Sequence, residues 1–198
     1  MDMTITNNGR VWLATMMFGT WSNSTVDLVP TITSWNGGPA GSTTTSALPC
    51  GTMKNTQGGA INRIYYWANS SNTYFSLLKF TANNSAGNCF FKVGTGEAAS
   101  SDYELDSPIT SGVSIALSAN RNDKRGTYFV TVTNTGENVL SIGEIGFYVT
   151  AITDTRYNEF SGISSPITNS FLFSKAALDT AVEIKGGESK TFDVAITF

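Results

Sequence analysis

Apolar and polar residues alternate through much of the second half of the chain, and this pattern predicts β-strands. Side chains two positions apart in a strand lie on the same face of a sheet. Further strands are predicted at residues 139–142 and 145–152, and the sequences at residues 134–137 and 185–188 are typical of turns. The apolar residues predicted to share faces are Val113, Ile115 and Leu117, then Tyr128, Val130 and Val132, then Phe171 and Phe173, then Val182 and Ile184, and finally Phe192, Val194, Ile196 and Phe198.

Strands are also predicted in the middle of the chain. Residues 61–67 and 74–80 flank a polar turn sequence and are predicted to form a hairpin, and residues 89–93 are predicted to form another strand. Many short strands joined by turns are typical of two packed sheets. We therefore predict an all-β fold, an antiparallel β-sandwich of the jelly-roll or immunoglobulin-like type, with residues 61–198 as the sandwich domain.

The N-terminal residues 1–60 are predicted to form one short helix followed by a long loop. Residues 10–18 form the predicted helix, with Asn8 as its N-terminal cap and Gly19 at its C-terminal end. Residues 20–60 are rich in Ser, Thr, Gly and Pro and show no periodicity. A two-turn helix is not stable alone, so it must dock on another surface.

We expect this N-terminal region to carry contacts between subunits. The apolar side chains assigned to that interface are Trp12, Met16, Met17, Trp21 and Trp35. The alternative is that the tryptophans fold back onto the sheet of their own chain.

The low charge content favours a subunit that is buried in an assembly. Charged residues make up 14% of the chain, against about 25% in an average protein. A surface of Ser, Thr, Asn and Gly loses water at low cost, because no ion has to be desolvated. The alternative is a secreted monomer with an uncharged polar surface. The net charge of −3 and the lack of a cluster of Lys and Arg predict no nucleic-acid partner.

The sequence lacks one residue type that many catalytic and metal sites use, and its acids are not arranged as a site. There is no histidine, which excludes His-based triads and His-ligated metals. Glu97, Asp102, Glu104 and Asp106 are close in sequence but lack the spacing of a calcium loop, so a solvated acidic turn is favoured. We predict that the protein is not an enzyme and uses no cofactor or metal.

Other features bear on location. No basic segment followed by an apolar stretch is found at the N-terminus, and no apolar run approaches the roughly 20 residues of a membrane helix. We therefore expect synthesis in a cytoplasm and no membrane partner. Cys89 is predicted to be a small buried side chain, and a bond between Cys50 and Cys89 is left open.

Three adjacent aromatic residues, Tyr65, Tyr66 and Trp67, give a second candidate site. Neighbouring side chains of a strand point to opposite faces, so at least one of these rings leaves the core side. Such a ring can stack on a sugar or contact a protein. The alternative is a strand that is buried on both faces.

Several segments resemble structural proteins of tailed-bacteriophage virions, of the small tail-, fibre- or head-associated type. Residues 5–14 resemble the opening "TNxG…hhA" of these proteins, and residues 91–96 with 101–109 resemble their element "VGTGTxAPxxxDxxLxxxI". Residues 129–149 and 187–192 resemble the β-sandwich that follows. The chain departs from the pattern in the long stretch of residues 20–88 and in residues 98–100, where Ala-Ala-Ser replaces the usual prolines. The resemblance implies a virion component.

The glycine-containing element also has a physical interpretation. Gly94 and Gly96 can adopt positive φ and so let the chain turn tightly after strand 89–93. Asp102 is predicted to cap the next turn. Leu105 and Ile109 are predicted to pin the acidic loop onto the sheet.

Taken together, these observations predict a structural component of a bacteriophage virion. It would act through contacts with itself, as a homo-oligomer, and with other virion proteins, after synthesis in the host cytoplasm. The alternative is a carbohydrate-binding module that contacts a glycan of the host surface during adsorption. A hydrolase ranks last, because no organised carboxylate pair is found.

Overall fold

The computed structural model confirms the all-β class. It describes residues 1–18, 25–27, 53–61, 63–65, 84, 89–96, 103–120, 127–158 and 163–196. The secondary structure of these residues consists of one helix and eleven strands. The elements are β1 (Asp2–Ile5), α1 (Asn7–Phe18), β2 (Thr25–Asp27), β3 (Met53–Lys54), β4 (Ala60–Ile61), β5 (Arg63–Tyr65), β6 (Cys89–Gly94), β7 (Val113–Asn120), β8 (Thr127–Asn134), β9 (Leu140–Asn158), β10 (Ile163–Ile184) and β11 (Ser189–Ile196).

The main sheet is mixed. Its strand order is β2-β5-β9-β10-β1-β11-β8-β7, and β6 pairs with β9 beside this path. β1 runs parallel to β11 and antiparallel to β10, whereas every other described strand pair is antiparallel. The sheet is therefore not purely antiparallel as predicted, because the N-terminal strand enters it between two C-terminal strands.

The first residues of the chain are part of this sheet. Asp2 and Met3 pair with Ala195 and Ile196 of β11, and the next two residues of β1 pair with β10. The side chain of Met3 lies in the main core. The boundary predicted between residues 60 and 61 falls inside β4. Residues 1–5 thus belong structurally to the sheet that the sequence assigned to residues 61–198.

Helix α1 begins three residues earlier than predicted, and its cap differs. The hydroxyl oxygen of Thr6 accepts the N–H of Gly9 at 3.1 Å, and the carbonyl of Thr6 accepts the N–H of Arg10 at 3.0 Å. Thr6 therefore caps the helix. Asn8 does not cap it, because its side chain pairs with the backbone of Lys54 through two hydrogen bonds of 2.8 Å.

β9 and β10 form a long hairpin on which the core is built. β9 is one strand of 19 residues, so the break predicted between residues 142 and 145 is wrong. β10 has 22 residues, and its pairing with β9 shifts register at three places. Gly143 sits in the interior of β9 because the loop after β6 passes directly over it, with the carbonyl of Gly96 2.3 Å from where a Cβ of Gly143 would lie.

The predicted apolar faces are confirmed where they are described. Val130, Val132 and Val194 are fully buried, as are Phe171 and Phe173. The core also joins strands that are not paired with each other. The ring of Phe91 on β6 lies 6.2 Å from that of Tyr128 on β8, a strand with which β6 is not paired.

The two predicted turns are confirmed as well. The side chain of Asn134 donates to the carbonyls of Asn138 and Ile184 and accepts the N–H of Gly136 at 2.9 Å. At residues 185–188 the backbone of Gly187 has a φ of +77°, which glycine adopts without strain. The amide of Asn134 thus fastens the turn after β8 to the end of β10.

Candidate functional site

Trp12 lies in the core of its own chain. Its side chain is 5% exposed, and its ring packs edge-on against Phe173 at 5.7 Å and tilted against Phe171 at 6.5 Å. The helix approaches β10 this closely because residue 9 is a glycine, whose Cβ would lie 2.3 Å from the carbonyl oxygen of Phe173. For Trp12 the structure therefore supports the alternative in which the tryptophan packs onto the sheet of its own chain. The ring is not exposed for contact with another subunit.

The other predicted site residues are not brought together by the described structure. Met16 and Met17 lie in α1, and Tyr65 ends β5, where it pairs with Thr25 and Ile152. The remaining predicted residues, Trp21, Trp35, Tyr66 and Trp67, lie outside the described residues, as do Cys50, Glu97, Asp102 and most of the predicted hairpin and loop.

Residues 103–109, which we call the strap, cross the sheet that contains β6 and β9. Backbone bonds hold its end to the end of β6: the N–H of Thr95 donates to Ser107 at 3.0 Å, and the N–H of Ile109 donates to Val93 at 2.8 Å. Leu105 is buried with Tyr148 and Leu172 on the sheet face that points away from the main core. Both faces of this part of the sheet are therefore covered, and the prediction that Leu105 pins the loop is confirmed.

A buried acid on β9 holds the strap from below. The side chain of Glu144 is 1% exposed, and its carboxylate accepts the N–H groups of Asp106 and Ser107 at 3.3 and 3.0 Å. A Cβ on Gly94 would lie 2.3 Å from Glu144 Oε1, and one on Gly96 would lie 2.8 Å from it. These glycines are thus required for space. Neither glycine uses the positive φ that the sequence analysis considered for it.

A second polar cluster fastens the strap from the side. Tyr148 donates its hydroxyl hydrogen to the carboxylate of Glu104 and accepts the N–H of Leu105 at 3.2 Å. Lys92 forms an ion pair with Glu104 at 2.9 Å, and its Nζ lies 4.5 Å from the centre of the Tyr148 ring. Phe90 stacks on the same ring at 5.3 Å.

This arrangement fixes the protonation of the tyrosine. Burial, followed by the hydrogen bond to Glu104, raises the pKa of Tyr148 well above its ordinary value. The phenol therefore stays a hydrogen-bond donor. The acidic residues Glu104 and Glu144 act on the strap itself, and within the described ranges no group of three or more His, Cys, Asp and Glu side chains could hold a metal ion.

Sequence reasoning did not single out Glu144 or Tyr148. A signal for Glu144 does exist, because it is an acid between Ile142 and Ile145 in the otherwise uncharged and largely apolar stretch of residues 142–149. An acid at such a position is buried only if donors satisfy it. No comparable signal identifies Tyr148, since a tyrosine in a strand is ordinary.

The outer face of β7, β8 and β11 carries small hydroxyl side chains in cross-strand rows. The hydroxyls of Thr133 and Ser189 lie 2.7 Å apart, and those of Thr131 and Thr191 lie 2.9 Å apart. Strand register adds one β7 residue to each row. The six residues, which we call the hydroxyl face, are Ser114, Thr133 and Ser189 in one row and Ala116, Thr131 and Thr191 in the next.

The hydroxyl face ends at β7, which is an edge of the sheet as far as the structure describes it. All eight residues of β7 pair with β8 in continuous register, without a bulge. The outward side chains of this strand, Ser114, Ala116 and Ser118, are small, uncharged and exposed. The two uncharged rows therefore run to an uncharged edge strand, while the next row on the same face, formed by Ser118, Phe129 and Asp193, contains one acid.

No protein-family model, no curated protein and no solved structure matches this chain. A search for membrane-spanning helices among the described residues finds none that is long and apolar enough.

Proposed function

We propose that this protein is a structural subunit of a bacteriophage virion, which acts through contacts with copies of itself and with other virion proteins. The observation that carries the proposal is the hydroxyl face and its continuation onto the edge strand β7. Its two rows contain no charged residue. Covering these two rows with another protein requires no ion within them to be desolvated.

The strap supports the same proposal. It lies within the element that resembles virion proteins, and its polar groups are engaged within the chain. Glu144 binds two of its backbone N–H groups, and Glu104 binds Lys92 and Tyr148. A segment held in this way serves to fix the shape of the subunit and needs no ligand.

We further propose that the sheet is arranged as the two layers of a sandwich, with β7, β8 and β11 in one layer and β6, β9 and β10 in the other. The contact between Phe91 of β6 and Tyr128 of β8 supports this arrangement, because these strands are not hydrogen-bonded to each other. Buried side chains from both groups of strands also form one core cluster.

The test of the virion role is to look for the protein in particles. An antibody raised against the full chain is applied to density-gradient-purified phage particles from a lysate of cells that encode it. We expect the protein to co-purify with the particles through the gradient and through a high-salt wash. Recovery only in the soluble fraction would refute the proposal.

A carbohydrate-binding role is the second candidate, and the run Tyr65, Tyr66 and Trp67 is the sequence feature that favours it. An exposed indole ring can stack on a sugar ring. Screening the full chain and its Trp67→Ala variant on a glycan array tests this candidate. Binding that the variant loses would support it, whereas an array without binding would eliminate it for the glycans present.

A further inference from the structure

We propose that two copies of this chain associate through β7, which pairs antiparallel with β7 of the second copy across a two-fold axis. The inference rests on the proposed self-assembly and deepens it, because it names the strand, the partner and the register. The sheets of the two copies would become continuous through the new strand pair.

The hydrogen bonding of β7 shows which of its backbone groups are available. The N–H of Thr135 donates to the carbonyl of Gly112 at 2.9 Å, in line with the register of the two strands. Hydrogen-bonded and non-hydrogen-bonded pairs alternate along an antiparallel ladder. The even-numbered residues of β7 therefore bond to β8. The N–H and C=O groups of Val113, Ile115, Leu117 and Ala119 point to the outer edge, where no described strand meets them.

The sequence and the ladder of β7 itself lack the devices that protect edge strands from pairing. Its eight residues contain no charged residue and no proline, and its ladder has no bulge. Natural edges are usually blunted by these features or by short strands. The strand at the opposite end of the described order, β2, does have such features, because it is only three residues long and includes the charged residue Asp27. An eight-residue edge strand with a continuous ladder and without such features is suited to pairing.

The sequence of β7 is compatible with pairing to itself. A two-fold axis at Ala116 places Ile115 opposite Leu117 of the second copy and Val113 opposite Ala119 of the second copy. This register pairs all four residues whose backbone groups point to the outer edge in each strand. Shifting the register by two residues would lose one of these pairs. On the outer surface Ala116 faces Ala116 of the second copy, and Ser114 faces Ser118 of the second copy. These small uncharged side chains neither clash nor repel.

The proposed register is tested with Ala116→Cys. Ala116 would face its own copy in a non-hydrogen-bonded pair, where Cα atoms are about 4.5 Å apart, and a disulfide accepts Cα separations of about 4.4–6.8 Å. Under mild oxidation we expect a cross-linked species of twice the 21.1 kDa chain mass. Ser114→Cys is the matched control, because its partner is Ser118, and the unchanged chain reports any cross-linking by Cys50 or Cys89.

A charge variant tests the interface without cross-linking. Ala116→Lys would place two ammonium groups together at the axis. Because Ala116 is exposed in the monomer, the substitution should leave the fold of the single chain unchanged. We expect the dissociation constant of the dimer, from light scattering across a concentration series, to rise at least about tenfold. Thr191→Lys puts the same charge on the hydroxyl face away from the edge and should leave the dimer intact.

The outcomes separate this inference from the virion proposal. Cross-linking of Ala116→Cys together with dissociation by Ala116→Lys supports pairing at β7. Absence of the cross-link, or dissociation by Thr191→Lys but not by Ala116→Lys, overturns it. If the protein nevertheless co-purifies with phage particles, the virion role stands and only the β7 surface is refuted.

Discussion

The carboxylate of Glu144 accepts the backbone N–H of Ser107 at 3.0 Å, although the two residues are 37 positions apart in the sequence. Glu144 is buried on β9, and Ser107 lies in the strap above it. A buried carboxylate is costly unless donors satisfy it, and the strap supplies two backbone donors. The acid and the strap therefore stabilise each other, because the strap supplies donors for the buried carboxylate and the carboxylate supplies an acceptor for two N–H groups of the strap.

Removing the Glu144 carboxylate should destabilise the protein. In Glu144→Ala two N–H groups of the strap lose their acceptor, at about 1–3 kcal/mol for each group left unsatisfied. Glu144→Gln keeps one acceptor oxygen and should cost less. Urea unfolding measures the difference. Glu183→Ala, at an exposed position of β10, is the control and should stay within about 0.5 kcal/mol of the unchanged protein. Equal stability of Glu144→Ala and this control would contradict the role assigned to the carboxylate.

Gly143→Ala should destabilise the protein because of a collision with backbone. Its Cβ would lie 2.3 Å from the carbonyl oxygen of Gly96 and 3.1 Å from that of Thr95. Relieving such overpacking typically costs about 1–3 kcal/mol. The control is Gly136→Ala, whose nearest neighbour would be Asn134 Oδ1 at 3.4 Å, an ordinary contact. Thermal melting of both variants checks the prediction, and a Gly143→Ala protein that melts with the control would refute it.

Tyr148 should make the protein less stable at alkaline pH. Burial and the hydrogen bond to Glu104 raise the pKa of its phenol in the folded state. The unfolded chain releases this proton near pH 10, at about the ordinary pKa of tyrosine. The contribution to stability is therefore complete below about pH 10 and falls as the pH rises above it.

The variant Tyr148→Phe checks this expectation. It should start from a lower stability near neutral pH, by about 1 kcal/mol for each of the two hydrogen bonds that the hydroxyl makes to Glu104 and Leu105. Its stability should then fall less steeply between about pH 9 and 11. Some alkaline loss should remain, because burial also raises the pKa of Tyr128. Urea midpoints measured across this range give both profiles. Parallel profiles for the two proteins would show that Tyr148 does not cause the loss.

Trp12→Ala should lower the stability of the isolated chain. Truncating a buried tryptophan typically costs about 3–5 kcal/mol, and the Trp12 ring packs on Phe171 and Phe173. Arg10→Ala, at an exposed position of the same helix, is the control and should change stability little. If Trp12→Ala instead kept its melting temperature and lost only self-association, the ring would belong to an interface.

The strands of the second half could be predicted from sequence, because side-chain alternation is a local property. Whether Val130 or Phe192 faces inward depends on the parity of positions along its own strand. The turns at Asn134 and Gly187 were equally accessible, since their chemistry lies within a few residues. The β7 strand was found for the same reason, but its position at the end of the sheet was not.

The remaining features depended on pairings between distant parts of the chain. The sequence indicated that Trp12 needs burial, and only the tertiary structure supplied Phe171 and Phe173 as its partners. It also indicated that position 94 needs a glycine, but it gave the backbone conformation as the reason. In the structure the reason is space, because the side chain of Glu144, 50 residues away, lies where a Cβ would be. β1 took its place between β10 and β11 through hydrogen bonds that no local pattern encodes. Local alternation therefore determined which residues form strands and which faces they bury. Long-range backbone pairing decided the strand order, the attachment of the strap and which strand lies at the end of the described sheet.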